Sequence, residues 1–434
     1  MFAQYDKTTG IFEIQGNELN ITEAEDVLNV SLGEYTDFIY DKKKKTLEVK
    51  EDAIGGKKWT YMLDEGRRIY LSSSLRVLKE RLNKNFQLNE GMLPHFMYNG
   101  FLYGKHTLVC GVFKLEPGTS LFFDREKIRK QVLSTSYKEV EEEKYGERYE
   151  EYLNLAVRKS VENQLILDGK INLTLSAGYD SNCILHFIRK YKPDIPVRCF
   201  SIGGYKGVDE TENAEKISEL YENICFRKKM VTPDTLEKME EIVERLEGCV
   251  YERGIFLQYE LARLLKEEKC KNIICGECAD QIFNKNFYEL LPEDNFLFDY
   301  EHHPRQMCAY VVKKKNELML NSFGIEVQYP FLDKNVRNLA YFMRKKNGTK
   351  KVFHIEKCKE WFSENVLSYI EKQGGSTNLD ALFENGADIS GMMRRNPFYS
   401  EEFRITQKYP RKEAERDYYL TLKYVELFKK IFCD

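Results

Sequence analysis

The six residues Ser176-Ala177-Gly178-Tyr179-Asp180-Ser181 follow a short β-type run at 171–175 and precede a helical pattern. Small residues at such a turn let the backbone approach a ligand, and the free amide N–H groups of a helix N-terminus favour an anion. The hydroxyls of Ser176 and Ser181 can donate to phosphate oxygens. Asp180 would repel a phosphate unless a divalent cation lay between them, so the pattern implies Mg²⁺. The Gly-Lys-Ser/Thr ending of a P-loop is absent, and an ordinary tight turn is the alternative reading. A second run, Gly276-Glu277-Cys278-Ala279-Asp280-Gln281, follows the β-type run at 272–275 and adds two carboxylates. Their structural alternatives are helix capping for Asp280 and a dipole-favoured first-turn position for Glu277.

These loops need strands to end on and helices to open. From 145 onward, helical spacing at 145–164, 182–191, 210–221, 236–246 and 259–268 alternates with β-type runs at 171–175, 197–202 and 272–275. That rhythm predicts an α/β fold, a parallel sheet with helices on both faces, with ligands beyond the C-terminal ends of the strands. The first 125 residues are strand-rich, with a basic turn at Lys42–Lys45, two strands around Pro117-Gly118 and a helix opening at Ser73-Ser74. The charged stretch 139–144 places a domain boundary, giving domains 1–135 and 140–434. The tail 398–434 has helical spacing and is read as core-packing helices, with a partner or peptide surface as the alternative.

The first loop resembles the Ser-Gly-Gly-x-Asp-Ser pyrophosphate loop of N-type ATP pyrophosphatases, with Ala177 in place of the first Gly. Gly276 to Gln281 and Glu326-Val-Gln-Tyr-Pro330-Phe331-Leu332-Asp333 resemble the Gly-Glu-Gly-x-Asp-Glu and Glu-x-Arg-x-Pro-Phe-Leu-Asp motifs of asparagine synthetase and its relatives, in the family's order. Phe200-Ser201-Ile202, Asp209 and Ala214 are similar to its second strand and helix. Residues 38–118 resemble the later part of a glutamine-hydrolysing amidotransferase domain: Phe38 to Asp41, Gly55, Tyr61, Ser73-Ser74 and Leu115-Glu-Pro117-Gly118 carry that likeness. The family's nucleophile is a cysteine after the initiator Met, and position 2 here is Phe. Without a thiolate there is no thioester and no ammonia release. The expectation is a shortened α+β Ntn-amidotransferase-like domain, as in beta-lactam synthetases and lasso-peptide cyclases, ahead of an adenine nucleotide alpha hydrolase-like synthetase domain.

The resemblance implies a carboxylate that attacks the α-phosphate of ATP, releases pyrophosphate, and passes from AMP to an amine. Ser176, Ala177, Gly178, Asp180, Ser181, Ser201, Ile202 and Gly276 then bind ATP, and Asp180 and Asp280 share Mg²⁺. Glu277 faces the activated carboxyl group, where it can bind an ammonium or take its proton. Beta-lactam synthetases carry a tyrosine at that position. Lys372 is the candidate catalytic cation, with Gly374-Gly375 as the hinge of its loop and Lys350 and Lys351 as competitors. Departures at Ala177, Cys278 and Gln281 keep a nucleotide-binding scaffold without catalysis as an alternative.

Composition narrows the partners. Lys plus Arg total 67 against 70 Asp plus Glu, a net charge of -3, which speaks against nucleic acid as the substrate and against a tRNA-modifying transferase. There is no apolar run near 18 residues and no leader-like N-terminus, so the expectation is a cytoplasmic protein with reduced thiols among its 11 cysteines. Cys275-Gly-Glu-Cys278 lacks a second ligand pair at zinc spacing and is read as coincidence, and His302-His303 as an exposed loop. The expected chemistry is amide ligation onto an amine of the substrate itself, as in a small-molecule or peptide cyclase. The alternative is an ammonia-using synthetase served by a separate glutaminase. A homodimer and a precursor-peptide or leader-binding partner complete the expectations.

Overall fold

The computed structural model describes residues 1–15, 20–24, 26–31, 36–52, 54, 59–64, 68–133, 141–204, 209–283, 311–347, 351–371, 382–383, 387–400 and 411–434. Lys350, Lys372, Gly374-Gly375 and His302-His303 lie outside them.

The N-terminal part is antiparallel β structure. One sheet orders the strands Ile11–Gln15, Phe2–Asp6, Arg68–Ser72, Thr60–Asp64 and Val112–Lys114; a second orders Ile128–Val132, Thr119–Phe123, Thr46–Glu51, Thr36–Asp41, Val27–Ser31 and Asn20–Ala24. Alternate residues such as Leu47 and Val49 turn inward, as period-two strands must. They meet Ala3, Tyr5, Phe38, Trp59, Leu71 and Phe123 in one core. Ser74 caps the helix Leu75–Leu82 by accepting from the Val77 amide, as the hydroxyl run predicts.

Beyond residue 141 the fold is α/β. The strands Ile224–Met230, Val197–Gly203, Ile171–Thr174, Asn272–Ile274 and Glu326–Gln328 lie side by side in that order, all parallel. Both faces are covered. Ile171, Leu173, Cys199 and Ile274 pack with the helices Tyr145–Asp168 and Tyr179–Tyr191. Phe200 and Ile273 face the core built by Met239–Leu246, Ile255–Glu267 and Arg411–Phe432. Phe96 and Phe101 from the N-terminal part join that second core. Phe101 also bridges to Val250, and a Cβ on Gly100 would lie 2.0 Å from the Tyr251 carbonyl oxygen.

Two details differ from the sequence reading. The helical stretch at 236–246 is two helices, Pro233–Glu237 and Met239–Leu246, separated at Lys238. A capping box at Thr232 and Thr235 fixes the first of them independently. The edge strand Ile224–Met230 carries no apolar run because Arg227, Lys228 and Lys229, alternating between its two faces, interrupt it; seven registered pairs with Val197–Gly203 hold it.

Candidate active site

Ser176 to Ser181 tighten into a turn through their own side chains. Ser181 Oγ accepts from the Ser176 amide at 3.0 Å, and Ser176 Oγ accepts from the Gly178 amide at 3.1 Å. Asn182 Nδ2 donates to the carbonyls of Ser176 and Gly178 at 2.9 and 2.8 Å. Gly178 caps the helix with extended backbone (φ -85, ψ 165). Ala177 is buried and is not among the residues with positive φ, so a methyl group there leaves the turn intact. In the second loop, Cys278 does adopt φ 72, a conformation that favours glycine. Gly276 makes the closest approach between the loops: a Cβ there would lie 2.9 Å from the Ser181 nitrogen and 3.1 Å from the Asp180 carbonyl carbon. Ser201 is buried and Ile202 half-buried near the end of the next strand, Val197–Gly203.

The loops bring Asp180 and Asp280 onto one buried cation, Lys351. Its Nζ contacts Asp180 Oδ2 and lies 2.9 Å from Asp280 Oδ1, with its side chain 6% exposed. Lys351 stands at the start of the helix Val352–Trp361, whose next turn delivers His354. His354 Nε2 sits 2.9 Å from Asp180 Oδ1, and Nδ1 sits 2.6 Å from the Tyr149 hydroxyl. Burial works against charge on Asp180, but Lys351 and His354 outweigh it and hold its carboxyl well below the usual carboxylate range. Burial likewise opposes charge on His354, yet Cys358 and Asp180 raise it to about 9. Cys358 falls to about 6: burial raises it, and the Cys183 thiol and His354 together outweigh that. Two carboxylates that share one ammonium fit a divalent ion bound by oxygen. Lys351 and His354 are the residues that motif reading underrated. Their spacing, three residues apart on one side of a helix start and after a gap in the motifs, gives little local signal.

Glu277 occupies a different setting. Gln258 Nε2 donates to Oε1 at 2.9 Å and Asn316 Nδ2 donates to Oε2. Gln258 Oε1 and Asn316 Oδ1 are buried and have no hydrogen-bond partner among the described residues. Burial raises the Glu277 carboxyl above its ordinary range, against the pull of nearby Lys315 and the Asn316 bond. Lys315 is itself paired with Glu252. Pro330–Leu332 forms a 3₁₀ turn that buries Phe331 against the His354 ring, 5.4 Å between centroids. The arrangement can cradle an anion, hold it beside fixed positive charge, and keep a proton-accepting carboxylate one strand away. Among the described residues, no helix is long and apolar enough to cross a membrane.

The comparisons agree with this architecture. The asparagine synthase model matches residues 153–305, and the glutamine amidotransferase domain model matches residues 19–137. A Methanocaldococcus jannaschii protein assigned as glutamine-hydrolyzing asparagine synthetase 2 is 28% identical over 179 residues, 40% of this chain and 34% of that protein. The one assigned as asparagine synthetase 1 of that organism is 22% identical over 326 residues, 71% of this chain and 55% of that protein. Asparagine synthetase 2 of Oryza sativa subsp. japonica is 23% identical over 201 residues, 43% of this chain and 34% of that protein. This chain therefore matches about a third to just over half the length of these relatives. The solved structure of the U34-tRNA thiolase NcsA from Methanococcus maripaludis is 16% identical, with coverage of 52% of this chain and 78% of that chain. Its TM-score of 0.27 is too low to carry an argument. The amidotransferase and synthase matches, in that order along the chain and on the folds described above, make the protein similar to asparagine synthetases over residues 19–137 and 153–305.

Proposed function

We propose that this protein is an ATP-dependent, AMP- and pyrophosphate-forming amide ligase that adenylates a carboxylate and couples it to an amine on an organic substrate, as a cyclase does. The observation that carries the reading is the convergence of Asp180 and Asp280 on Lys351 beside the Ser176–Ser181 turn. Amides and hydroxyls of that turn bind the β- and γ-phosphates, and Gly276 keeps the second loop close enough for Asp280 to take part. Asp180 and Asp280 would hold Mg²⁺, which neutralises phosphate charge when bound. Lys351 stabilises charge at the α-phosphate, a role for which Lys372 is the other candidate. Glu277 takes a proton from the incoming ammonium, and the carbonyl oxygens of Gln258 and Asn316 offer acceptors for its remaining N–H groups. Domains 1–135 and 140–434, a cytoplasmic location, a homodimer and a peptide or small-molecule partner belong to the same proposal.

Carboxylate-dependent ATP–pyrophosphate exchange tests it. Exchange with a carboxylate from a panel of amino acids and peptides is expected. Absence of exchange with any acid, together with no ATP binding, overturns it. Glu277 also favours a second reading, ammonia as the amine, since a carboxylate suits an ammonium ion; amide product from ammonium chloride alone would select it.

A further inference from the structure

Directly beneath Asp180, the same two helices bring three soft ligands together. Cys183 lies one turn after Asp180 on Tyr179–Tyr191, and His354 and Cys358 lie one turn apart on Val352–Trp361. Their ligating atoms fall within 4.8 Å of one another, and all three residues are buried. Cys358 Sγ is 3.6 Å from His354 Nε2. Sγ is also 3.7 Å from Nδ1, so the thiol lies between the two ring nitrogens and must turn toward the Nε2 side to reach the roughly 3.5 Å spacing of neighbouring tetrahedral zinc ligands around a shared ion. The opposite ring nitrogen, Nδ1, faces the Tyr149 hydroxyl at 2.6 Å. With the proton on Nδ1, that bond fixes the ring, as outer partners of metal-bound histidines do, and an ion on Nε2 takes the place of the proton now shared with Asp180. Phe283 stacks on the ring at 5.5 Å with 6° between planes, and Phe331 meets it edge-on. The imidazole is therefore held from three sides before any ion arrives. Asp180 Oδ1, 2.9 Å from Nε2, stands where a fourth oxygen ligand belongs, and its side chain is 23% exposed. That carboxylate is the way in from solvent to an otherwise closed site.

We propose that Cys183, Cys358 and Nε2 of His354 bind a thiophilic divalent ion of the zinc class, with Asp180 as the fourth ligand. Thiolate and imidazole select borderline and soft metals, which sets this site apart from the oxygen-only Mg²⁺ site although the two share Asp180, Oδ1 facing His354 and Oδ2 facing Lys351. Binding draws Asp180 Oδ1 away from its hydrogen bond with imidazole and ties the helix that begins beside Lys351 to the helix of the phosphate turn. Protons leave as the ion enters, because both sulfurs must be thiolates and Nε2 must be unprotonated. The site does not depend on the ligase reading.

Cobalt(II) titration of the full-length, reduced protein tests the proposal. One Co²⁺ per chain is expected, with thiolate-to-cobalt charge-transfer absorption and the strong visible bands of a tetrahedral centre. Cys183→Ser and Cys358→Ser should each weaken binding by about 10–100-fold and diminish the charge-transfer band. Cys110→Ser and Cys225→Ser, at exposed positions, should leave both unchanged. Circular dichroism of each variant separates lost ligation from lost folding, and a thermal shift induced by Zn²⁺ in the native protein provides a second readout. Weak, octahedral-type spectra, or tetrahedral binding unaltered in folded Cys183→Ser and Cys358→Ser proteins, would overturn it.

Discussion

Asp180 and Glu277 follow neighbouring strands of one parallel sheet, Ile171–Thr174 and Asn272–Ile274, and both are carboxylates in half-closed surroundings. Their environments push them apart. Asp180 faces an ammonium and an imidazole and is held ionised; Glu277 faces two neutral amides, and burial pulls its carboxyl toward protonation. The difference teaches a division of labour that sequence alone leaves ambiguous: a permanently charged carboxylate suits cation binding, and a carboxyl with raised affinity for protons suits transfer. Two positions that read alike as "acid after a strand" are separated by what lies across from them.

The largest effect should come from removing the charge that defines the first environment. Lys351→Ala leaves Asp180 and Asp280 facing each other without their shared ammonium. We expect ATP–pyrophosphate exchange to fall by about 10³-fold. Loss of one partner of a buried ion pair should also lower stability by about 3 kcal/mol, read by urea unfolding. Unchanged exchange would assign the cationic role to Lys372 instead. Next, Glu277→Gln should spare exchange while slowing amide formation by about 10²-fold, measured as product per ATP consumed. Equal losses in both steps would erase the contrast between the two carboxylates.

A smaller effect tests the spacing between the loops. Gly276→Ala forces a methyl group against the Ser181 and Asp180 backbone, so exchange should drop about tenfold and stability by about 1–3 kcal/mol. The smallest effect is on the pH dependence of stability. Asp180 binds its proton more readily unfolded than folded, so its contribution is present above the ordinary 3.8 and is lost as pH falls toward its lower folded value. Glu277 binds its proton more readily folded, so stability falls as pH rises just above the ordinary 4.5. Asp180→Asn should remove a rising limb and Glu277→Gln a falling one, each no steeper than about 1.4 kcal/mol per pH unit in urea midpoints converted to free energy. Limbs of the same sign in both variants would refute the opposed environments.

The strand–loop–helix order was legible because buried parallel strands are apolar runs that end in small residues, and Ile171–Thr174 and Asn272–Ile274 both do so. The strand Ile224–Met230 was not, since at the sheet edge it tolerates Arg227, Lys228 and Lys229 on both of its faces and loses the apolar signature. Motifs located Asp180, Glu277 and Asp280 because each adjoins a turn with its own chemistry. Lys351 and His354 have no such neighbours; only the packing of Val352–Trp361 against Tyr179–Tyr191 gives them meaning. Cys183, His354 and Cys358 were invisible for the same reason, while the adjacent-looking Cys275 and Cys278 form no part of that cluster. Gln258 falls just before the helical stretch read at 259–268, and the helix Lys313–Ser322 that carries Asn316 gave no reading from the sequence. Spatial convergence of distant helices is the information a linear pattern does not carry.

The contact of Gly100 with Tyr251, and the core that Phe96 and Phe101 share with Phe428 and Tyr424, bind the β-rich N-terminal part to the α/β part. A shared core of this kind predicts a single calorimetric transition rather than two. It also constrains inheritance. A segment wired into its neighbour's core cannot be dropped by a deletion without exposing that core, so its retention requires no reaction of its own. The N-terminal part serves mechanically, as one wall of its neighbour's interior.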